Sequence, residues 1–129
     1  MTRADLNRRL IGPIVAVDLD LLTVVVFVVV GRNNHDESPG IGGVVETAAP
    51  FQIGLAVAWL AARAWKQPFA VGTGLIVWVG TVAIGMACRR VFFDEGTAFS
   101  FVVVASVFLG VVLYGWRLVA RRVVARLSA

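Results

Sequence analysis

Two carboxylates, Asp18 and Asp20, interrupt an otherwise apolar run of the sequence from Ile11 to Gly31. An ionised carboxylate at the centre of a membrane costs at least ~2.5 kcal/mol, and acids in such a run are often functional. They can relay protons or cations, or bind a cationic group of a substrate. The alternative is a structural role, in which each is held by a hydroxyl group or by an arginine, with Arg117 as the obvious partner. The sequence alone leaves both readings open.

One helix cannot direct both acids at a single site, because side chains two residues apart point in nearly opposite directions. Asp18 shares its face with Leu22 and Arg32, whereas Asp20 shares its face with Phe27. The stripe from Asp18 to Arg32 carries polar groups at both ends. We therefore expect the Asp18 face to look into the helix bundle and the Asp20 face to meet lipid, so that Asp18 is the more important acid.

The depth of these acids follows from the length of the apolar run. With Leu21 at the middle of the run, Asp20 lies ~1.5 Å and Asp18 ~4.5 Å from the midplane along the helix axis. Arg117 lies ~15 Å from the middle of its own run, which leaves a gap of ~10 Å to Asp18. An ion pair across that gap requires extended side chains, or a first helix that starts deeper in the membrane.

Four apolar runs must position these residues. They cover residues 11–31, 44–65, 69–88 and 97–116, followed by a basic tail, 117–129. Each is about as long as a spanning helix, which needs ~20 residues. With 59% hydrophobic and 16% charged residues, a soluble domain of 129 residues could not bury so much apolar surface. The valine-rich part of the first run would suit a strand in water, but a lone strand in lipid leaves backbone groups unsatisfied. The sequence predicts an all-α bundle of four transmembrane helices in one domain.

Small residues predict where these helices approach each other. The third run carries four glycines, Gly72, Gly74, Gly80 and Gly85, which allow close approach of a neighbouring helix. Ser106 and Gly110 have small-xxx-small spacing in the fourth run, which we read as ordinary helix packing rather than as a dimer signal. Several residues also recur at an offset of 58 positions, such as Thr23 and Thr81, which indicates two tandem helical hairpins as a possible duplication.

The basic residues predict the orientation. The net charge of +4 is carried by residues between the apolar runs and at the two ends, without the interleaved aromatic residues of single-strand binding surfaces, so nucleic acid is disfavoured. Nine lysines and arginines, among them the inner-end residues Arg63 and Arg117, lie on the side of both termini, against three on the other side. We expect both termini in the cytoplasm (N-in/C-in) and the protein in the inner, or cell, membrane.

A second polar group falls at the ends of the runs that face outward: Arg32, His35, Glu46, Arg89 and Arg90. We expect Glu46 to lie near Arg32 across the first connection. His35 is the residue of this outer cluster that could titrate near neutral pH, although a lone histidine in a polar loop is more often solvated. One histidine and scattered carboxylates are too few for a metal site, and no haem attachment motif or phosphate-binding loop exists. We expect no metal and no cofactor.

Several short motifs occur together along the chain: Asp18 in the first run, Gly31-Arg32-x-x-His35 at its exit, Pro50-Phe51, Gly85-Met86 followed by Arg89 or Arg90, and Gly115-Trp116-Arg117. In combination they resemble a family of small prokaryotic four-helix membrane proteins catalogued as a domain of unknown function. The resemblance covers nearly the whole chain. It implies the four-helix fold, and it implies no activity.

Three functions fit the sequence. The first is a small transport or permeation component that uses the intramembrane carboxylates, with a pathway between subunits. The second is a membrane assembly or partner-binding protein whose polar residues are purely structural. The third is an enzyme that acts on a lipid or quinone at the outer cluster. The expected partners are the lipid bilayer and either further copies of the chain or another membrane protein.

Overall fold

A computed structural model describes residues 3–34, 41–91 and 99–128, with the side chains of residues 12–31, 44–91, 100–123, 125 and 126. Within these ranges the chain is all-α. Its four helices are α1 (Arg3–Asn34), α2 (Ile41–Ala62), α3 (Val71–Val91) and α4 (Phe99–Ser128). Each helix contains a segment long and apolar enough to cross a membrane: Gly12–Gly31, Val44–Ala62, Val71–Val91 and Ser100–Val123. The prediction of four apolar spanning helices is therefore confirmed by length and composition.

The helices differ from the predicted runs mainly at their ends. Helix α1 includes most of the polar lead before Ile11, and α4 continues through the basic tail to Ser128. The tail consists of arginines at 117, 121, 122 and 126 with mostly apolar residues between them, and arginine is a good helix former, so the helix can continue past the apolar span. Pro13 and Pro50 lie inside α1 and α2, because each helix begins before the apolar run that contains the proline. Glu46 consequently lies beyond the first turn of α2.

Helix α2 ends in a Schellman motif at residue 63 rather than continuing to Trp65. The Ala64 amide donates to the Trp59 carbonyl (3.1 Å), and the Arg63 amide donates to the Leu60 carbonyl (3.3 Å). Arg63 has φ 49°, the left-handed conformation that such caps require. The chain turns here into the short connection to α3.

The helices contact one another in a closed ring, in which α1 touches α2 and α4, and α3 touches α2 and α4. Helices α1 and α2 run antiparallel, since Phe27 of α1 stacks edge-on against Phe51 of α2 at 5.6 Å, whereas Asp20, earlier in α1, accepts from Trp59, later in α2. Phe27 also lies 6.1 Å from Phe101 and 5.5 Å from Phe108 of α4. This aromatic group lies in the core of the bundle.

Glycines bring α2 and α3 closest together. A Cβ added at Gly54 would lie 2.9 Å from the Gly85 nitrogen and 2.9 Å from the Thr81 carbonyl oxygen, both backbone atoms. A Cβ at Gly85 would lie 2.6 Å from the Phe51 ring. Gly74 and Gly80 are also in close contact with neighbours, whereas Gly72 has nothing within 4 Å. The expected close approach is confirmed at three of the four glycines of the third run.

Ser106 and Gly110 form a notch in α4 that receives Trp78 of α3. The Trp78 indole donates to the Ser106 carbonyl oxygen at 2.8 Å. A Cβ at Gly110 would lie 2.7 Å from the Trp78 ring. The small-xxx-small pair therefore serves packing within the bundle, as predicted.

Candidate functional site

Asp20 is the centre of a buried polar cluster, and Asp18 is exposed. The side chain of Asp20 has no exposed surface. It continues a buried stripe of α1 that includes Ala16, Thr23 and Phe27. Asp18 lies on the exposed side of the same helix. The expectation that the Asp18 face looks inward was wrong, because Phe27 belongs to the aromatic group in the core and brings Asp20 inward with it.

Four N–H groups donate to the Asp20 carboxylate. The Arg117 guanidinium forms a bidentate pair, with Nη1 at 2.9 Å from Oδ1 and Nη2 at 2.7 Å from Oδ2. The Trp59 indole donates to Oδ2 at 2.7 Å, and the Trp116 indole donates to Oδ1 at 2.9 Å. A carboxylate has about four acceptor positions, so these bonds occupy all of them.

Arg117 is also nearly saturated and is 1% exposed. Its Nε donates to the Pro68 carbonyl at 2.9 Å and its Nη1 to the Leu113 carbonyl at 3.1 Å. Its guanidinium carbon lies 4.4 Å from the centre of the Trp116 ring, a distance typical of a cation–π contact. Four of the five N–H groups of the guanidinium therefore have acceptors.

This Asp20 cluster (Asp20, Trp59, Trp116 and Arg117) joins three helices, α1, α2 and α4. Asp20 comes from α1, Trp59 from α2, and Trp116 and Arg117 from α4. The Pro68 carbonyl belongs to the connection between α2 and α3. Gly74 of α3 leaves space for the arginine, since a Cβ there would lie 2.9 Å from the Arg117 Cδ.

The depth of the cluster differs from the placement used for the sequence, which named Arg117 as a partner but put it far from the acids. Phe27 meets the aromatic rings of α2 and α4, and Asp20 is seven residues, ~10.5 Å, from Phe27 along the axis of α1. Asp20 lies level with Arg117, because the two side chains pair directly, whereas the midplane placement had set Arg117 apart from both acids. A first helix that starts deeper than the midplane placement was the alternative that the sequence left open, and the level position of the two side chains agrees with it.

The role of Trp59 and Trp116 as hydrogen-bond donors was not predicted from the sequence. A buried indole needs an acceptor for its N–H group. Asp20 is the buried acceptor to which both indoles donate. The need of each indole N–H group for an acceptor, and of the buried acid for donors, was the signal by which this pairing could have been predicted.

The outer cluster is described only in part. Glu46 and Arg90 are exposed, and Arg89 is half-buried with its guanidinium 4.4 Å from the centre of the Phe101 ring. Arg32 lies in the last turn of α1, and its side chain is outside the described residues, as is the whole of His35. The expected proximity of Arg32 to Glu46 stays a prediction. Of the two inner-end residues, Arg63 is exposed and Arg117 is buried.

Acidic, histidine and cysteine side chains form no group of three that could hold a metal ion within the described ranges. The Asp20 cluster itself offers a carboxylate whose acceptor positions are occupied by N–H donors. The arrangement is suited to fixing helices, and it leaves no open coordination position for a bound ion.

The model of one protein family matches residues 17–120, which include α2, α3, parts of α1 and α4, and every member of the Asp20 cluster. Its description is "Protein of unknown function (DUF3054)". The chain belongs to the DUF3054 family. This confirms the resemblance found in the sequence, and the DUF3054 description assigns no activity. No curated protein and no solved structure matches this DUF3054 chain.

Proposed function

We propose that this chain is a membrane assembly or partner-binding protein, in which the buried polar residues hold the helices in place. The observation that carries the proposal is the occupation of the Asp20 carboxylate by four N–H donors. A proton or cation that bound Asp20 would have to displace Arg117. Breaking a buried pair by removing one partner costs ~3–5 kcal/mol, since it leaves an uncompensated charge.

Asp18 is the intramembrane acid that a partner can reach. It is exposed within the span Gly12–Gly31, two residues from the occupied acid. A lysine, arginine or hydroxyl group at the same depth of a neighbouring helix would provide a hydrogen-bond donor for it. The neighbour is another copy of the chain or a different membrane protein.

Transport is the second candidate, and the same exposed acid is what favours it. Because Asp20 is occupied, a transport component would have to use Asp18. Asp18 lies on the outside of the four-helix bundle, so the pathway would run between subunits.

The enzyme hypothesis rests on the outer cluster, where Glu46 and Arg90 are exposed and Arg89 stacks on Phe101.

We also propose that the protein lies in the cell (inner) membrane with both termini in the cytoplasm. The support is the excess of basic residues at that end, nine against three. Arginine and lysine near the ends of spanning helices are retained on the cytoplasmic side.

Native mass measurement in mild detergent tests the assembly proposal. We expect a defined complex larger than the 13.8 kDa monomer. Asp18→Leu should shift it to the monomer without changing the unfolding midpoint, since Asp18 is exposed. Leu22→Ala, on the same exposed face, is the matched control and should leave the complex intact.

Flux of protons or cations into liposomes separates the two candidates. The assembly proposal expects no flux above that of empty liposomes. Flux that Asp18→Leu abolishes would establish transport instead. A wild-type protein that is monomeric at every concentration and carries no flux would overturn both.

A further inference from the structure

A groove of about 530 Å³ runs along the outside of the bundle between α3 and α4. Leu75 and Trp78 line it on α3, and Gly110, Val111 and Tyr114 line it on α4. The Trp78 ring packs on Gly110, and the groove lies beside this contact. The lining is predominantly apolar, and the volume lies within the range of ~300–1,000 Å³ typical of small-molecule sites.

Two exposed arginines lie in line with one end of this groove. Arg121 and Arg122 follow Gly110 and Val111 by eleven residues, which is close to three helical turns. They therefore continue the same two rows of side chains. Arg121 is ~10.5 Å from Tyr114 along the axis, and helical side chains lean back toward the amino end of their helix. The two arginines therefore follow the groove at its carboxyl-terminal end on α4, within reach of its mouth.

Arg121 also contacts the neighbouring connection. Its Nη1 lies 3.5 Å from the Phe69 carbonyl oxygen, just before α3 begins. This contact places Arg121 between α4 and the start of α3, where the groove ends. Arg122 is exposed beside it.

We propose that this groove binds one acyl chain of an anionic phospholipid, whose phosphate contacts Arg121 and Arg122. Apolar side chains cover the acyl chain along α3 and α4, and the arginines complement the charge of the headgroup. Arginine binds phosphate oxygens through two parallel N–H groups, and basic sites beside spanning helices match anionic lipids. The proposal is independent of the assembly function, since Asp18 is on α1.

Native mass spectrometry of the full chain tests this, with phosphatidylglycerol or phosphatidylcholine added in mild detergent. We expect tighter binding of phosphatidylglycerol. A basic residue near an anionic headgroup contributes ~1 kcal/mol, or roughly fivefold in affinity. Arg121→Gln with Arg122→Gln should therefore remove a preference of about 25-fold. Arg63→Gln removes one exposed charge at the same end of the bundle, away from the groove, and should retain the preference.

The acyl site is tested separately by filling the groove. Val111→Trp should lower the binding of both lipids, because Val111 lines the groove and is 66% exposed. Leu60→Trp on α2 is the matched control, at 67% exposed, and should bind as the wild type does. Unfolding midpoints check that all variants fold.

Three results would overturn the proposal. One is equal affinity of the wild type for the two lipids. Another is unchanged lipid binding in Val111→Trp. The third is a dimer that Val111→Trp dissociates, since a second copy of the chain would then occupy the groove.

Discussion

A buried ion pair adds little net stability relative to well-packed apolar residues, but the loss of one partner is costly. Asp20 and Arg117 fit this case, since both are almost completely buried. Each tryptophan adds a hydrogen bond to a charged acceptor, worth ~1.5–3 kcal/mol. The cluster therefore contributes mainly by making one arrangement of α1, α2 and α4 more stable than alternatives in which these groups lack partners.

Asp20→Asn should destabilise the fold, and Asp18→Asn should not. The first leaves the Arg117 charge buried without a carboxylate, at a cost of ~3–5 kcal/mol. The second changes an exposed side chain, where effects are typically within about 0.5 kcal/mol. Unfolding by titration with a denaturing detergent measures both differences.

A double variant, Asp20→Leu with Arg117→Met, is the control for this prediction. Replacing both members by apolar residues should recover much of the loss, because no charge remains buried. Equal losses in the two asparagine variants would show that the Asp20 cluster does not stabilise the bundle.

At the scale of the helix, three of the four interfaces show how differently they are formed. Helices α2 and α3 approach through glycines, and α3 and α4 through Trp78 in its notch. Helices α1 and α4 meet through Phe27, Asp20 and their partners, beside an apolar groove of about 190 Å³ lined by Val26 and Phe108 among others. Polar contacts therefore hold α1 at the interface where apolar packing leaves a gap.

Gly54→Ala should separate α2 from α3. The added methyl group would lie 2.9 Å from backbone atoms of α3, which cannot move without shifting the helix. We expect a loss of ~1–3 kcal/mol, the usual cost of overpacking. The same detergent titration measures it.

Gly115→Ala is the matched control, because nothing lies within 4 Å of a Cβ at that position. It should be neutral or raise stability by up to ~1 kcal/mol through helix propensity. If both alanine variants behaved alike, close contact at Gly54 would not be what holds the two helices together.

At the scale of the whole molecule, burial follows the 58-residue offset noticed in the sequence. Thr23 and Thr81 are both buried, as are Leu55 and Leu113, and Trp59 and Arg117. The hairpin of α1 and α2 and the hairpin of α3 and α4 thus turn corresponding faces inward, although the interfaces between the helices differ. The pattern supports the hypothesis of duplication, which stays a prediction.

The orientation of the molecule in the membrane is tested by reporter fusions. Alkaline phosphatase joined after Asp36 should be active, and the same enzyme joined after Ser128 should be inactive, because the enzyme is active only outside the cytoplasm. The excess of basic residues at the end that carries both termini is the physical reason. Activity of both fusions would contradict this topology, because the three spans between the two sites, an odd number, place them on opposite sides of the membrane.

The sequence alone determined the four spanning helices and their approximate positions. Backbone groups in lipid must be satisfied within a segment, so an apolar run of the right length has to be helical whatever surrounds it. The glycines and the Ser106–Gly110 pair also predicted close packing, since small side chains have that effect in any partner arrangement.

Only the tertiary structure decided which acid is buried. The two faces of α1 are nearly equally apolar apart from their single acids, so the sequence pattern could not distinguish them. The choice depends on the relative axial positions of the helices, which place Phe27 among the aromatic rings of α2 and α4 and Asp20 level with Arg117. That position is set by contacts between residues as far apart as 20 and 117, which no local pattern encodes.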